Sequence, residues 1–287
     1  WSMKDMGLGV IFFLTVILAT PTETSASDGV SVDPWNGTVR YLQETEAREG
    51  FLPKVKDLIP NLTVTDAYKI QNSFIRIMNQ GAVIAGYKAG FTGVEGRREF
   101  ELQHPVSGVL FEGCGYESGT LISLSKHPGL MLEMEIGFRL KKRVNNRLKE
   151  VEDLKDLVSH ALPVIELPHL KFKDLEGITG VDLVSTNMAS ACWIEGTPLA
   201  GLTPMSYDEL EVLLYRDGDL IDSGLAGAVN GQRQALMWLI NHLLDRNIEL
   251  HQGLLLLTGK IGKINLAQAG KYRAIYGAKE VLFEIQP

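Results

Sequence analysis

The order of apolar and polar positions changes period along the chain. Residues 39–48 and 65–78 repeat apolar side chains at helical spacing; in the second stretch Tyr68, Ile70, Phe74, Ile75 and Met78 make one broad stripe that Thr63 or Thr65 is placed to cap. From Ala82 onward the texture turns to short β-type runs punctuated by glycine, at 83–91, 108–111, 120–123, 131–140 and 163–167, which predicts a sheet through the middle of the protein. A further helix is predicted over 232–244, after Asn230-Gly231, and 254–258 and 281–285 read as closing strands. Helices, then many short strands, then one helix and more strands describe an α+β protein with a β-rich core and argue against a regularly alternating parallel sheet.

The beginning of the chain differs in kind. Met3-Lys4 precedes an apolar run over 7–19, and the small residues Thr24 and Ala26 allow cleavage after Ala26, which is the layout of a signal peptide over 1–26. The run is shorter than the roughly 20 residues that span a bilayer as a helix. The expectation is therefore an exported protein, periplasmic or secreted, with no stable membrane association after cleavage; an uncleaved membrane anchor is the alternative. Residues 27–80 then form an N-terminal helical segment and 81–287 a β-rich catalytic domain.

With 287 residues, 45% of them hydrophobic, the chain can bury one sizeable core plus a small helical extension. Lys and Arg total 28 against 35 Asp and Glu, so the general field repels phosphate backbones and nucleic acid is excluded as an expected partner. An anionic substrate would have to be captured by local positive charge, from a metal, a lysine or an arginine. Cys114 and Cys192 are the only cysteines, too few for a disulfide framework and without C-x-x-C spacing, and both are expected in packing roles. Export would permit a bond between them if the fold brought them together.

The candidate chemistry is acidic. In Leu132-Glu133-Met134-Glu135-Ile136 the two carboxylates stand two residues apart on a predicted strand, hence on one face. Their repulsion inside an apolar strand is naturally offset by a cation. Glu166 interrupts a second apolar strand in the same way. Three carboxylates with room for water and substrate oxygens suit Mg2+ or Mn2+ better than zinc, which prefers His and Cys. The alternative for such a pair is a solvated strand face. Lys88, in the glycine-flanked run Gly86-Tyr87-Lys88-Ala89-Gly90, either lays its stem across the core with its ammonium in water or serves a substrate carboxylate or proton transfer.

Together, Gly86-Tyr87-Lys88-Ala89-Gly90-Phe91-Thr92, Glu133-Met134-Glu135-Ile136-Gly137-Phe138 and Pro163-Val164-Ile165-Glu166 resemble the 2-keto-4-pentenoate hydratase and 4-oxalocrotonate decarboxylase branch of the fumarylacetoacetate hydrolase superfamily. His104-Pro105-Val106-Ser107-Gly108-Val109-Leu110-Phe111 and Leu256-Leu257-Thr258-Gly259 agree in order, so the resemblance runs from about Thr38 to the C-terminus. It implies a mixed β-barrel or β-roll core with flanking helices, Glu133, Glu135 and Glu166 as ligands of Mg2+ or Mn2+, and Lys88 as the active-site lysine. Asn187, Ser190 and Thr258 are the candidate substrate-binding residues. Two departures bear on the reaction: Val106 stands where hydratases of this kind usually carry an acidic residue, and Thr186-Asn187-Met188-Ala189 replaces their Asp-Asn-Ala-Ser stretch. None of the six histidines copies the His-Glu pair of the hydrolytic members.

The implied activity is a metal-dependent lyase acting on small 2-oxo or 2-hydroxydienoic acids of the kind met in aromatic catabolism, first a 2-keto-4-pentenoate hydratase-like hydro-lyase. The alternatives are a 2-oxo-3-enedioate decarboxylase of the 4-oxalocrotonate type and a non-catalytic exported binding protein that keeps the metal pocket. A homo-oligomer is expected from the resemblance alone.

Overall fold

A computed structural model describes residues 33–199, 207–228 and 231–287, so the expected leader over 1–26 lies outside the described residues. Three helices come first, α1 (Asn36–Glu49), α2 (Val55–Leu58) and α3 (Val64–Met78). Strands β1 (Ile84–Gly90), β2 (Val106–Phe111), β3 (Gly115–Glu117), β4 (Thr120–Ser123), β5 (Met131–Leu140), β6 (Val158–Leu167) and β7 (Cys192–Glu195) follow, with short helices α4 (Val94–Glu99) and α5 (Gly180–Ser185) between them. The chain closes with β8 (Glu211–Arg216), β9 (Asp219–Leu225), α6 (Gln232–Asp245), β10 (Leu255–Leu257), β11 (Ile261–Leu266), β12 (Gly270–Tyr276) and β13 (Lys279–Gln286). Among the described residues, no helix is long and apolar enough to cross a membrane.

Local sequence explains the helical start. Thr63 caps α3 by accepting the Asp66 N–H at 3.1 Å, and of the stripe read from the sequence Ile70 and Phe74 are buried while Tyr68, Ile75 and Met78 are half-buried. Gly50 ends α1 in the left-handed conformation (φ 79°), its N–H closing on the Glu46 carbonyl at 2.8 Å, a geometry that costs glycine least. Val39, Leu42, Ile70 and Phe74 then share a buried cluster with Leu102, Val106, Val184 and Met188, which seats the helices against β2 and the turn after α5.

Among the described residues the strands form two sheets. The larger runs β2-β1-β10-β5-β6-β7-β3, with β11 paired to β5, and the smaller runs β4-β13-β12-β8-β9. Pairs β1–β10, β3–β7 and β4–β13 are parallel and the others antiparallel, as the α+β reading requires. Strands β2 and β3 stand at opposite ends of the larger path yet are joined by only Glu112, Gly113 and Cys114, so that sheet curls into a half-barrel. Alternation along its strands sorts side chains onto two faces. One face packs Ile136, Phe138, Ile165 and Leu256 against Tyr276, Val281 and Phe283 of the smaller sheet and Leu236 and Leu239 of α6. The inner face holds a separate apolar floor of Leu110, Leu162, Val164, Trp193, Leu255 and Leu257.

The predicted strands 120–123 and 131–140 coincide with β4 and β5. Strand β6 begins five residues before the predicted start at Pro163, and β3, β7, β8, β9, β11 and β12 go beyond the strands read from the sequence. The smaller sheet has one solvated face: in β12, Lys271 and Arg273 are exposed while Tyr272, Ala274 and Tyr276 are buried, so its charged positions mimic loop composition.

Candidate metal centre

Register brings the acids together. Strands β5 and β6 pair Glu133 with Glu166 and Glu135 with Val164, so Glu133 and Glu166 face each other directly and Glu135 follows on the same face. One carboxylate oxygen from each lies within 4.8 Å of the others, and among the described residues this is the group of acidic, histidine or cysteine side chains close enough to share a metal ion. Glu135 is 1% and Glu166 0% exposed, while Glu133 is half-buried.

Lys88 comes from the third strand along, in register with Gly108 of β2 and Leu257 of β10. A Cβ on Gly108 would lie 3.3 Å from the lysine Cγ and 2.9 Å from the Met188 Cβ; glycine there leaves room for the lysine stem. The ammonium donates to Glu166 Oε1 and, at 3.2 Å, to the Met188 carbonyl. That carbonyl is presented by Asn187, Met188 and Ala189, three successive non-glycine residues with φ of 61°, 56° and 53°. Such strain persists only where the surroundings fix it. Here the Asn187 amide fixes it, accepting the Val109 N–H at 2.7 Å and donating to the Val109 carbonyl at 3.0 Å, joined by the Ser190 hydroxyl at 2.8 Å.

The expected substrate-binding side chains are thus engaged by the protein. Asn187 and Ser190 hold the wall beside Lys88, and the single Thr258 O–H lies between two acceptors, the Ile136 carbonyl at 3.2 Å and the Gln232 side-chain oxygen. What the sequence reading missed is the next residue: the Gly259 N–H donates to Glu135 Oε2 at 2.9 Å, from a φ of 105° that favours glycine. The visible signal was the Thr258-Gly259 pair after an apolar strand.

Charge is out of balance at this point. Burial, then the charge of Glu166, pushes the Glu133 carboxyl up to about 7, and burial with Glu166 and Glu133 raises Glu135 well above the ordinary carboxylate range. Burial would lower Lys88, yet the attraction of Glu166, Glu133 and Glu135 together outweighs it and holds the ammonium above its usual value. One lysine faces three glutamates, and Glu135 Oε1 and Glu166 Oε2 are buried without a hydrogen-bond partner among the described residues. Orphaned carboxylate oxygens beside a half-buried third acid fit a hard divalent cation, which supplies both the missing charge and the missing partners.

The histidines stay out of this group. His242 stacks on Trp238 (centroids 4.7 Å apart) and shares a hydrogen bond of 3.0 Å with the Tyr68 hydroxyl, whose oxygen also takes the Ser107 N–H; burial, then the charge of Arg246, pulls its imidazole down to about 4. His127 and His169 meet edge to face. A cavity of about 460 Å3 lies elsewhere, around Arg139, Trp193 and Glu195 at the opposite end of the inner face.

No family model matches the chain. Curated relatives do: 2-oxo-hept-4-ene-1,7-dioate hydratase of Escherichia coli is 26% identical over 74% of this chain and 82% of its own length. For 2-keto-4-pentenoate hydratase of Paraburkholderia xenovorans the identity is 25% (75% and 81% covered), and for 4-oxalocrotonate decarboxylase of Pseudomonas sp. strain CF600 it is 23% (77% and 84%). A solved 4-oxalocrotonate decarboxylase from Pseudomonas putida G7, complexed with magnesium and adipate, superposes with a TM-score of 0.81 at 21% identity, over 91% of this chain and 100% of that one. A Yersinia pestis protein described as of the fumarylacetoacetate hydrolase family reaches 0.52 at 14% identity, over 71% and 94%. In sequence and in fold, the chain is a homologue of the 2-keto-4-pentenoate hydratases and 4-oxalocrotonate decarboxylases, with the architecture of the fumarylacetoacetate hydrolase superfamily.

Proposed function

We propose that this protein is a metal-dependent lyase for small 2-oxo acids, first a hydratase that adds water to a 2-hydroxydienoate. The observation that carries the reading is the buried Lys88 ammonium set against three glutamates, two of which have unpartnered oxygens. Glu133, Glu135 and Glu166 would hold Mg2+ or Mn2+, which when bound stabilises negative charge developing on a 2-oxo acid as an enolate. Lys88 Nζ, fixed between Glu166 and the Met188 carbonyl, holds the proton that tautomerisation of the dienol requires at carbon. The Gly259 N–H keeps Glu135 turned toward the other two acids. Asn187 and Ser190 act one step back, holding the turn that orients Lys88. Water then adds across the distal double bond and leaves a 4-hydroxy-2-oxo acid.

A second reading, loss of CO2 from a 2-oxo-3-enedioate, is favoured by Val106. It is 1% exposed and shares the face of Gly108 and Lys88, placing an apolar group where hydratases usually carry an acid to handle water. The test is to incubate the Mn2+-loaded protein with 2-hydroxypenta-2,4-dienoate and with 2-oxo-3-hexenedioate and follow the products by NMR. A hydrated product supports the first reading and CO2 loss the second; turnover of neither acid, with metal still bound, points to a binding protein and removes both. Export and a homo-oligomeric state are proposals carried by residues 3–26 and by the resemblance respectively; N-terminal sequencing and sedimentation of native material test them.

A further inference from the structure

The two cysteines meet at the seam of the half-barrel. Strands β3 and β7 are parallel and pair Gly115 with Trp193, so Cys114, just ahead of β3, and Cys192, the first residue of β7, stand one step earlier as direct neighbours. The Trp193 N–H donates to the Cys114 carbonyl at 3.1 Å, which shows that the ladder still holds there. In register on a parallel pair, both side chains leave the same face. Gly115 and Trp193 occupy the inner face, where a Cβ on Gly115 would lie 2.6 Å from the indole, and the cysteines share the other, where Cys192 is buried in the larger core cluster and Cys114 packs against it while also touching the edge of the inner floor. Adjacent strands run about 4.8 Å apart, within the roughly 4.4–6.8 Å between Cα atoms that a disulfide accepts. Cys114 is half-buried and Cys192 buried, and both are free thiols.

We propose that Cys114 and Cys192 are an oxidation site that closes to an intramolecular disulfide, tying the β2–β3 turn to β7. The oxidant is a low-molecular-weight disulfide. Its sulfur is attacked by the more accessible Cys114 as thiolate, releasing one small thiol and leaving a mixed disulfide. The Cys192 sulfur, after losing its proton to solvent, attacks the Cys114 sulfur and expels the second thiol. In sum, two cysteine thiols and one small disulfide become one protein disulfide and two small thiols. Burial alone, the largest cause, raises the Cys192 thiol above its ordinary value once Cys114 is capped, so the second step is slow at neutral pH and quickens as pH rises.

The bond would tie β7 to the turn that leads out of β2. Strand β3 follows β2 directly in the chain, and β7 pairs with β6, where Cys192 stands opposite Leu167 and Trp193 opposite Glu166. The covalent loop from 114 to 192 encloses Glu133, Glu135 and Glu166, and long loops gain most from closure.

The full-length protein, reduced and then treated with oxidised glutathione at pH 8.5, is denatured, alkylated and mapped by peptide mass spectrometry. The expected result is a linked 114–192 peptide two hydrogens lighter than the two free peptides, no alkylated thiol, and a melting temperature raised by ~5 °C that dithiothreitol reverses. A Cys192→Ser variant should stop at glutathione on Cys114. Two alkylated cysteines after oxidation, a lasting glutathione adduct in the wild type, or a link between two chains would overturn the proposal. The wild-type map decides it even if the variant does not fold, and none of these measurements depends on lyase activity.

Discussion

Two groups of charge sit on the same inner face of one sheet, at its opposite ends, and they are built differently. At one end Arg139 and Glu195 form a one-to-one pair: the arginine also donates to the Gly253 carbonyl at 3.0 Å, and the Glu195 oxygen that pairs with it accepts the Trp193 indole N–H at 2.7 Å. At the other end Lys88 faces three glutamates, and two buried oxygens have no partner among the described residues. Between them lies the apolar floor of Leu162, Val164 and Leu257. The first group is complete as the chain folds. The second lacks the charge and the partners that another ion would supply, and that incompleteness marks it as the candidate site although a cavity of about 460 Å3 opens at the first.

If the imbalance makes the site, removing one acid should cost metal affinity far more than any change at the balanced end. Glu135→Gln keeps the shape and the acceptor for the Gly259 N–H while removing a charged ligand. It should weaken Mn2+ binding in calorimetric titration by at least ~100-fold, the upper range of what supporting residues cost. Equal affinity would show that Glu135 is only a strand-face carboxylate. Lys88→Met should next cut turnover of whichever acid proves to be the substrate by at least ~10²-fold, the low end for a proton-transfer group, with the metal still bound. Arg139→Met should not. Unchanged turnover in Lys88→Met would reduce the lysine to a counter-charge for Glu166.

Metal removal gives a smaller effect on stability with a definite sign. A cation at 100 times its Kd stabilises the folded state by about 2.7 kcal/mol, so chelation should lower the wild-type melting temperature. Glu135→Gln relieves repulsion in the metal-free protein and binds the ion poorly, and its melting temperature should respond less. Parallel responses in the two proteins would mean that the cation stabilises the fold from somewhere else.

How much of this was legible depends on the range of the contact. Glu133 and Glu135 could be placed on one face because strand periodicity is local, and Lys88 stood out because a lysine in a glycine-flanked apolar run is anomalous. That Glu166 faces Glu133 depends on strand register between residues far apart in sequence, and there the family resemblance carried the expectation. Asn187 and Ser190 were read as candidate ligand donors because their side chains are polar; their engagement by the Val109 backbone, about 80 positions away, has no local signature. The same holds for the cysteine neighbours. Strand β8 and its companions were missed for a different reason: a sheet with one wet face interleaves charges with its core residues, and single-sequence texture confuses that with a loop.

The smallest effect is expected at the balanced end, and it sharpens the contrast most. The Arg139 and Glu195 side chains are 25% and 23% exposed, so solvent screens their attraction, and losing it should cost ~0.5–1 kcal/mol. Glu195→Gln is the suitable change, since its amide carbonyl still accepts the Trp193 indole N–H and only the charge disappears. Its melting temperature should fall by only about 1–3 °C, while Mn2+ affinity and turnover stay at wild-type values. Trp193 is the link that could break this independence, because it stands directly opposite Glu166 in the β6–β7 register. A Glu195→Gln protein that also bound Mn2+ tenfold more weakly would show that the indole transmits strain from one end of the face to the other, and the two groups would then have to be treated as one.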